Sequence, residues 1–152
     1  MTKLLTVLIV LLCLAGVVTA SLALGEHYNT NPSPCSINDR WDCGIVNHSP
    51  YALVRRVPVA LIGIMGYTLL AALAGRFPRL TALLALLGLI FSLRLTRIEW
   101  KLLGVWCIYC VSSQTIIALV FVLSLIAAWA SRHKPVEMQH AASPRRAHTF
   151  QE

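Results

Sequence analysis

The chain has 152 residues, of which 57% are hydrophobic and only 12% charged, and its mean hydropathy is +0.71. A water-soluble domain of this size needs far less apolar surface, so the composition excludes a soluble enzyme and points to a single integral membrane domain. The net charge of +7 makes no case for nucleic acid as a partner, since basic residues at membrane boundaries set topology and touch anionic lipid.

The first apolar segment covers residues 4–24. Lys3 and Val18-Thr19-Ala20 resemble the n-region and cleavage site of a signal peptide, but the run exceeds the usual h-region of about 7–15 residues. A retained helix is the expectation. Residues 25–56 then form the only long loop, with Asn29, Asn31, Pro32 and Pro34 as helix breakers. A second segment covers 57–75, and a tight turn, Gly75-Arg76-Phe77-Pro78-Arg79, leads to a third over 77–95. Arg79 and Arg94 lie near the ends of the third, where their side chains can snorkel to the interface. After a short link around 96–101, the fourth runs over 102–130 without a charged side chain. Each is about as long as the roughly 20 residues a spanning helix needs. Residues 131–152 are basic, poor in apolar side chains, and expected to be a disordered cytoplasmic tail. The predicted fold is therefore all-α, a four-helix transmembrane bundle over 1–130 with a long extracytoplasmic loop between its first two helices.

An even number of spans puts the long loop and the start of the fourth helix on one side. Lys3, Arg76, Arg79, Arg132, Lys134, Arg145 and Arg146 on the side of the termini are nearly balanced by Arg40, Arg55, Arg56, Arg94, Arg97 and Lys101 on the other. The basic turn and tail lean towards termini in the cytoplasm. The other side is then extracytoplasmic, where disulfides persist.

Five cysteines are present: Cys13, Cys35, Cys43, Cys107 and Cys110. Cys13 lies alone inside the first apolar run and is expected to pack inertly. Cys107-Ile-Tyr-Cys110 sits at the mouth of the fourth helix, in or beside its first turn, where free N–H groups and the helix dipole favour thiolate. Cys35 and Cys43 sit in the long loop, which is too polar to be a core, so both thiols are expected to be accessible. With all four on one side, a relay is geometrically possible, each step being thiolate attack through a mixed disulfide. A paired dithiol at a membrane surface suggests electron transfer between thiols and something lipid-soluble. Competing readings are a CxxC used only for packing, a Cys₄ zinc protein, and a non-enzymatic scaffold whose loop carries a structural disulfide. The spacing of Cys35 and Cys43 does not match the usual short metal-ligand spacing. The staple leaves Cys107 and Cys110 unexplained. Trp106 and Tyr109 are expected in an interfacial aromatic belt.

The order of these motifs resembles the vitamin K epoxide reductase family. The resemblance is carried by Cys35-Ser-Ile-Asn-Asp-Arg-Trp-Asp-Cys43, Val46-Asn47-His48-Ser49-Pro50-Tyr51, Val57-Pro58-Val59-Ala60-Leu61-Ile62-Gly63 and Cys107-Ile-Tyr-Cys110. It covers about residues 5–130, and its Val-Pro-Val-Ala stretch looks like the bacterial branch. The resemblance implies a quinone-dependent thiol-disulfide oxidoreductase that generates disulfides. Cys110 would pass electrons to a membrane quinone, ubiquinone or menaquinone. Cys107 would be its disulfide partner and accept attack from Cys43, and Cys35 would exchange with the outside partner. Ser49 would hydrogen-bond a quinone carbonyl, although Ser49-Pro50 also reads as a helix N-cap and N1 pair. Two positions depart from the vertebrate enzymes, where an Asn and a Tyr contact the quinone ring: Val59 and Gln114 stand there instead. Gln114 can still donate a hydrogen bond, or can serve as a helix–helix contact. The departures favour quinone reduction over epoxide reduction. Many bacterial relatives carry a fused thioredoxin-like domain, for which 131–152 is too short, so the implied partner is a separate extracytoplasmic thioredoxin-fold protein, and the implied location the bacterial inner membrane.

Overall fold

The computed structural model describes residues 2–29 and 35–132. The expected breakers Asn31, Pro32 and Pro34 and the tail from residue 133 onwards lie outside these described residues. The first helix, α1, covers Thr2–Tyr28, longer than the 4–24 expected. The long loop is correspondingly shorter. It holds a short helix α2 (Cys43–His48), a 3-10 turn (Pro50–Ala52) and a two-stranded hairpin, β1 (Leu53–Val54) and β2 (Val57–Pro58). The strands pair antiparallel, Leu53 opposite Pro58 and Val54 opposite Val57. Arg55 and Arg56 make the connection at φ of 50° and 70°, the left-handed geometry that a two-residue hairpin turn demands. The hairpin amends the all-α expectation only locally.

Helix α3 covers Val59–Leu73, α4 covers Pro78–Ile98, and α5 covers Ile108–Arg132. Pro78 occupies the first turn of α4, where its missing N–H has no intrahelical partner to lose. The expected link at 96–101 is not a loop. The end of α4 runs through it into a π-helical turn, Glu99–Leu103, closed by Gly104, whose N–H donates to the Glu99 carbonyl at 2.9 Å. Gly104 adopts φ 67°, a left-handed conformation that costs glycine little. This reversal delays the last helix from the expected 102 to Ile108. Composition could not show it, because turn and helix here are equally apolar.

Among the described residues, three helical stretches are long and apolar enough to cross a membrane: Lys3–Tyr28, Pro78–Leu103 and Ile108–Ser131. The apolar helix Val59–Leu73 is shorter. At about 1.5 Å per residue its 15 residues reach about 22 Å, against a hydrocarbon core of roughly 30 Å. Helix α5 packs against both α1 and α4, and α1 also packs along α3. Their shared core contains Ile9, Cys13, Tyr67, Leu70, Ala74, Ala85, Ile117 and Val120. Cys13 is fully buried there, in keeping with a packing role. Gly16 lets α1 close on Tyr67, whose ring would lie 2.6 Å from any added Cβ. The Tyr67 hydroxyl donates to the Ser113 carbonyl at 2.7 Å, tying α3 to α5. On the outer faces Leu4, Leu11, Leu14, Val18, Leu83, Leu87, Val122 and Leu125 are exposed, as expected of surfaces solvated by lipid rather than water. Thr19, Ser21, Thr68 and Thr115 each donate to the carbonyl four residues back, which satisfies their hydroxyls without any outside partner.

Candidate functional site

The site is assembled where the loop folds over the mouth of α5. Asp42 caps α2 by accepting the Ile45 N–H at 3.0 Å, which makes Cys43 the first residue of a helix. Ahead of it, Asn38 Oδ1 accepts from the Arg40 and Trp41 amides at 3.0 and 3.1 Å and turns the chain back. The returning segment pairs with the residues just before Cys107. The Asp42 N–H donates to the Trp106 carbonyl at 3.0 Å, and the Trp106 N–H to the Arg40 carbonyl at 2.9 Å. The Trp41 and Trp106 rings sit 6.4 Å apart above this bridge. Trp106, expected only as a belt residue, is therefore the strip onto which the loop docks.

Cys35 and Cys43 form a disulfide with Cα atoms 5.5 Å apart. Cys107 and Cys110 are unbridged thiols. Cys107 immediately precedes α5 and Cys110 lies in its first turn, as the spacing of the motif suggested. The accessibility expected for the loop pair is corrected: Cys35 is 5% exposed and Cys43 0%. The reason is the docking just described, which buries Cys35, Cys43, Val46 and Cys107 as one cluster, with Leu103, Val105, Ile108, Tyr109 and Cys110 packed around it. All four paired cysteines are thus brought together. Asn47 spans the two pairs, its Nδ2 donating to the Cys43 carbonyl at 2.9 Å and to Cys107 Sγ at 3.6 Å. His27, at the end of α1, donates from Nδ1 to the Asn47 carbonyl at 2.6 Å and stacks on His48 with ring centroids 6.2 Å apart.

Hydrogen bonding from the Cys110 thiol holds the Cys107 thiol below its ordinary range, against the opposing effects of burial and of the nearby Glu99 carboxylate. Lowering a thiol in this way raises its thiolate fraction, and the thiolate is the nucleophile.

Beneath the cluster lies a cavity of about 290 Å³. Its walls are largely aliphatic and aromatic, from α1, α3, α4 and α5, including Ala20, Ile62, Leu70, Phe91 and Leu95. Polar or reactive groups reach it from Ser49, Glu99, Tyr109 and Cys110. Of the residues singled out for an acceptor, Ser49, Val59 and Cys110 line it, and Gln114 does not. Gln114 Oε1 instead accepts from Thr96 Oγ1, so it serves as a contact between α5 and α4. Ser49 is buried and occupies the cap position before Pro50 without making a side-chain cap bond. Its hydroxyl donates to the Val46 carbonyl at 2.7 Å, so it must rotate to donate to a ligand in the cavity.

Sequence reasoning missed Glu99, Asn47 and His27. Glu99 is 3% exposed, and its Oε2 accepts the Cys107 N–H at 3.4 Å. The available signal was an acid beside apolar stretches in a membrane chain, an arrangement that is costly unless used. Among the described residues, no group of three or more His, Cys, Asp or Glu converges as a metal site.

A bundle of apolar helices with two cysteine pairs buried together over a greasy cavity defines a membrane-embedded thiol oxidoreductase. A model of the vitamin K epoxide reductase family matches residues 7–125, and the chain belongs to that family. A search of curated proteins returned no match.

Proposed function

We propose that this protein generates disulfides by passing electrons from a separate extracytoplasmic thioredoxin-fold protein through Cys35/Cys43 and Cys107/Cys110 to a membrane quinone. The observation that carries the reading is the Asn47 bridge, which links the backbone carrying Cys43 to the sulfur of Cys107 inside one buried cluster. A structural staple has no need of that arrangement. Cys35 takes electrons by exchange with the partner, and this frees Cys43 to attack Cys107. The Cys107–Cys110 bridge is reduced, and the dithiol then delivers an electron pair to the acceptor. Each exchange breaks one S–S bond and forms another.

The cavity suits a quinone in kind. It is apolar along most of its wall, and Ser49, Glu99 and Tyr109 are among the polar residues that line it together with Cys110, in keeping with a site that holds a hydrophobic ligand and orients it by a minority of polar groups. Ser49 and Val59 would flank the ring, with Cys110 as the donor. When bound, a quinone supplies a two-electron, two-proton acceptor. In this reading α3 completes a four-span bundle, aided by local thinning of the bilayer. The cysteine side then faces the periplasm of a bacterial inner membrane and the termini face the cytoplasm.

Complementation tests the function. A bacterial strain lacking its membrane disulfide-generating enzyme regains periplasmic disulfides when this chain is expressed, and loses them again when Cys35, Cys43, Cys107 or Cys110 is replaced singly by Ala. Rescue that survives replacement of Cys107 or Cys110 would assign the protein to a scaffold role.

A further inference from the structure

We propose that Glu99 is a catalytic proton acceptor for the inner dithiol, its carboxylate taking the Cys110 proton as the Cys107–Cys110 disulfide forms. The proposal rests on the thiol-oxidising role of that pair argued above. Its basis is geometric. The π-helical turn and the left-handed Gly104 fold the chain back so that Glu99, eight positions ahead of Cys107, lies against the start of α5. Turns of this kind inside or at the end of a helix recur at functional sites. The carboxylate accepts the Cys107 N–H at 3.4 Å, and the Cys110 thiol is its electrostatic neighbour. The titratable groups facing it are the thiols of Cys107 and Cys110. Glu99 and Cys110 line the same cavity, so a proton held on Glu99 sits beside the place where the acceptor needs one.

Oxidation of the pair breaks two S–H bonds, forms one S–S bond and releases one electron pair and two protons. The electron pair goes to the acceptor, of the quinone class, whose two carbonyl oxygens end as hydroxyls. Glu99 takes the Cys110 proton and hands it to the nearer of those oxygens, finishing ionised as it began. The Cys107 proton passes to water at the membrane face, and water supplies the proton for the second carbonyl oxygen. Asn47 already donates to Cys107 Sγ, so that sulfur is stabilised as it loses its proton, whereas Cys110 has Glu99 as a base.

Infrared difference spectra of the full chain, reduced with dithiothreitol and then reoxidised with ferricyanide, test this without quinone turnover, because ferricyanide takes the electrons and no proton and so leaves the Cys110 proton on Glu99. The wild-type protein gives a carboxyl C=O band that changes with the redox state and shifts in D₂O. The band disappears in Glu99→Gln and moves in Glu99→Asp. The Gln side chain keeps an acceptor for the Cys107 N–H, so the turn is preserved. In parallel, quinone reduction by dithiothreitol falls by about 100-fold in Glu99→Gln, the scale of general acid–base catalysis, and recovers in part in Glu99→Asp. A redox-linked band that persists in Glu99→Gln, or wild-type turnover in that variant, overturns the proposal. So does loss of turnover with no redox-linked carboxyl band, because Glu99 would then serve packing alone. A wild-type protein that shows the Glu99 band but reduces no quinone supports the proton acceptor and overturns the quinone reading.

Discussion

Asn47 Nδ2 lies 3.6 Å from Cys107 Sγ while the same nitrogen donates to the Cys43 carbonyl at 2.9 Å. One side chain therefore fixes the outer redox helix against the inner redox sulfur. The amide is buried, and a buried donor is held to its partners by the cost of leaving them, about 1–3 kcal/mol. The bridge also places a hydrogen-bond donor on the sulfur that Cys43 must attack, which favours negative charge there.

Replacing Asn47 by Ala separates the two halves of the relay. Oxidation of a reduced thioredoxin-fold substrate is expected to slow by about 10- to 100-fold, from the loss of roughly 1–3 kcal/mol of positioning. Quinone reduction by dithiothreitol, which can enter at the partly exposed Cys110, is expected to change less than threefold. Equal loss in both assays would show that Asn47 supports the fold as a whole and not the exchange between pairs.

Cys107→Ser and Cys110→Ser are expected to differ although both break the same pair. Without Cys110, Cys107 can still capture Cys43, giving a disulfide between the loop and the start of α5. Cα atoms within about 7 Å allow such a bond, and the burial of Cys43 and Cys107 in one cluster supports it. Proteolysis at Arg76 or Arg79 then leaves the two fragments joined on a non-reducing gel and parts them with reductant. Cys107→Ser, lacking the target sulfur, gives fragments that separate under both conditions. A Cys110→Ser protein holding only the Cys35–Cys43 bridge would remove the central step of the relay.

Gly16→Ala tests the packing that holds α1 on the bundle. Its Cβ would fall 2.6 Å from the Tyr67 ring, and that ring is anchored by its hydroxyl to Ser113. The collision has to displace either the ring or the helix, at a cost of about 1–3 kcal/mol. The midpoint of thermal unfolding in detergent should drop, and Tyr67→Phe combined with Gly16→Ala should lose less than the two single changes added. Unchanged stability in Gly16→Ala would mean that α1 and α3 pack less closely than described.

Sidedness is checked with single introduced cysteines. Asp39 lies on an exposed turn of the loop, so Asp39→Cys is expected to gain labelling over the parent chain when intact cells meet a membrane-impermeant maleimide. Ser143→Cys should gain none until the cells are opened. The reverse pattern would invert the topology and place the cysteine pairs in a reducing compartment.

Membrane character, the approximate helical segments and the two cysteine pairs were legible along the chain because each is a local property. Apolar run length reports a spanning helix directly, and Cys107-Ile-Tyr-Cys110 places two thiols within one turn whatever surrounds them. The start of α5 was not legible, since Leu102, Leu103 and Val105 are as apolar in a π-helical turn and reversal as in a helix. The burial of Cys35 and Cys43 was hidden for a different reason. Their neighbours are polar, and only the pairing of Arg40 and Asp42 with Trp106 covers them. Glu99, Asn47 and His27 come from three separate stretches, and no spacing rule joins them. Glu99 and Asn47 meet Cys107, and His27 meets Asn47, only through tertiary structure: long-range packing of α1, the loop and α5 decides which polar groups share a desolvated site. The sequence alone determined which residues can do redox chemistry in a membrane. The fold decided which sulfur each one meets, and through which hydrogen bonds.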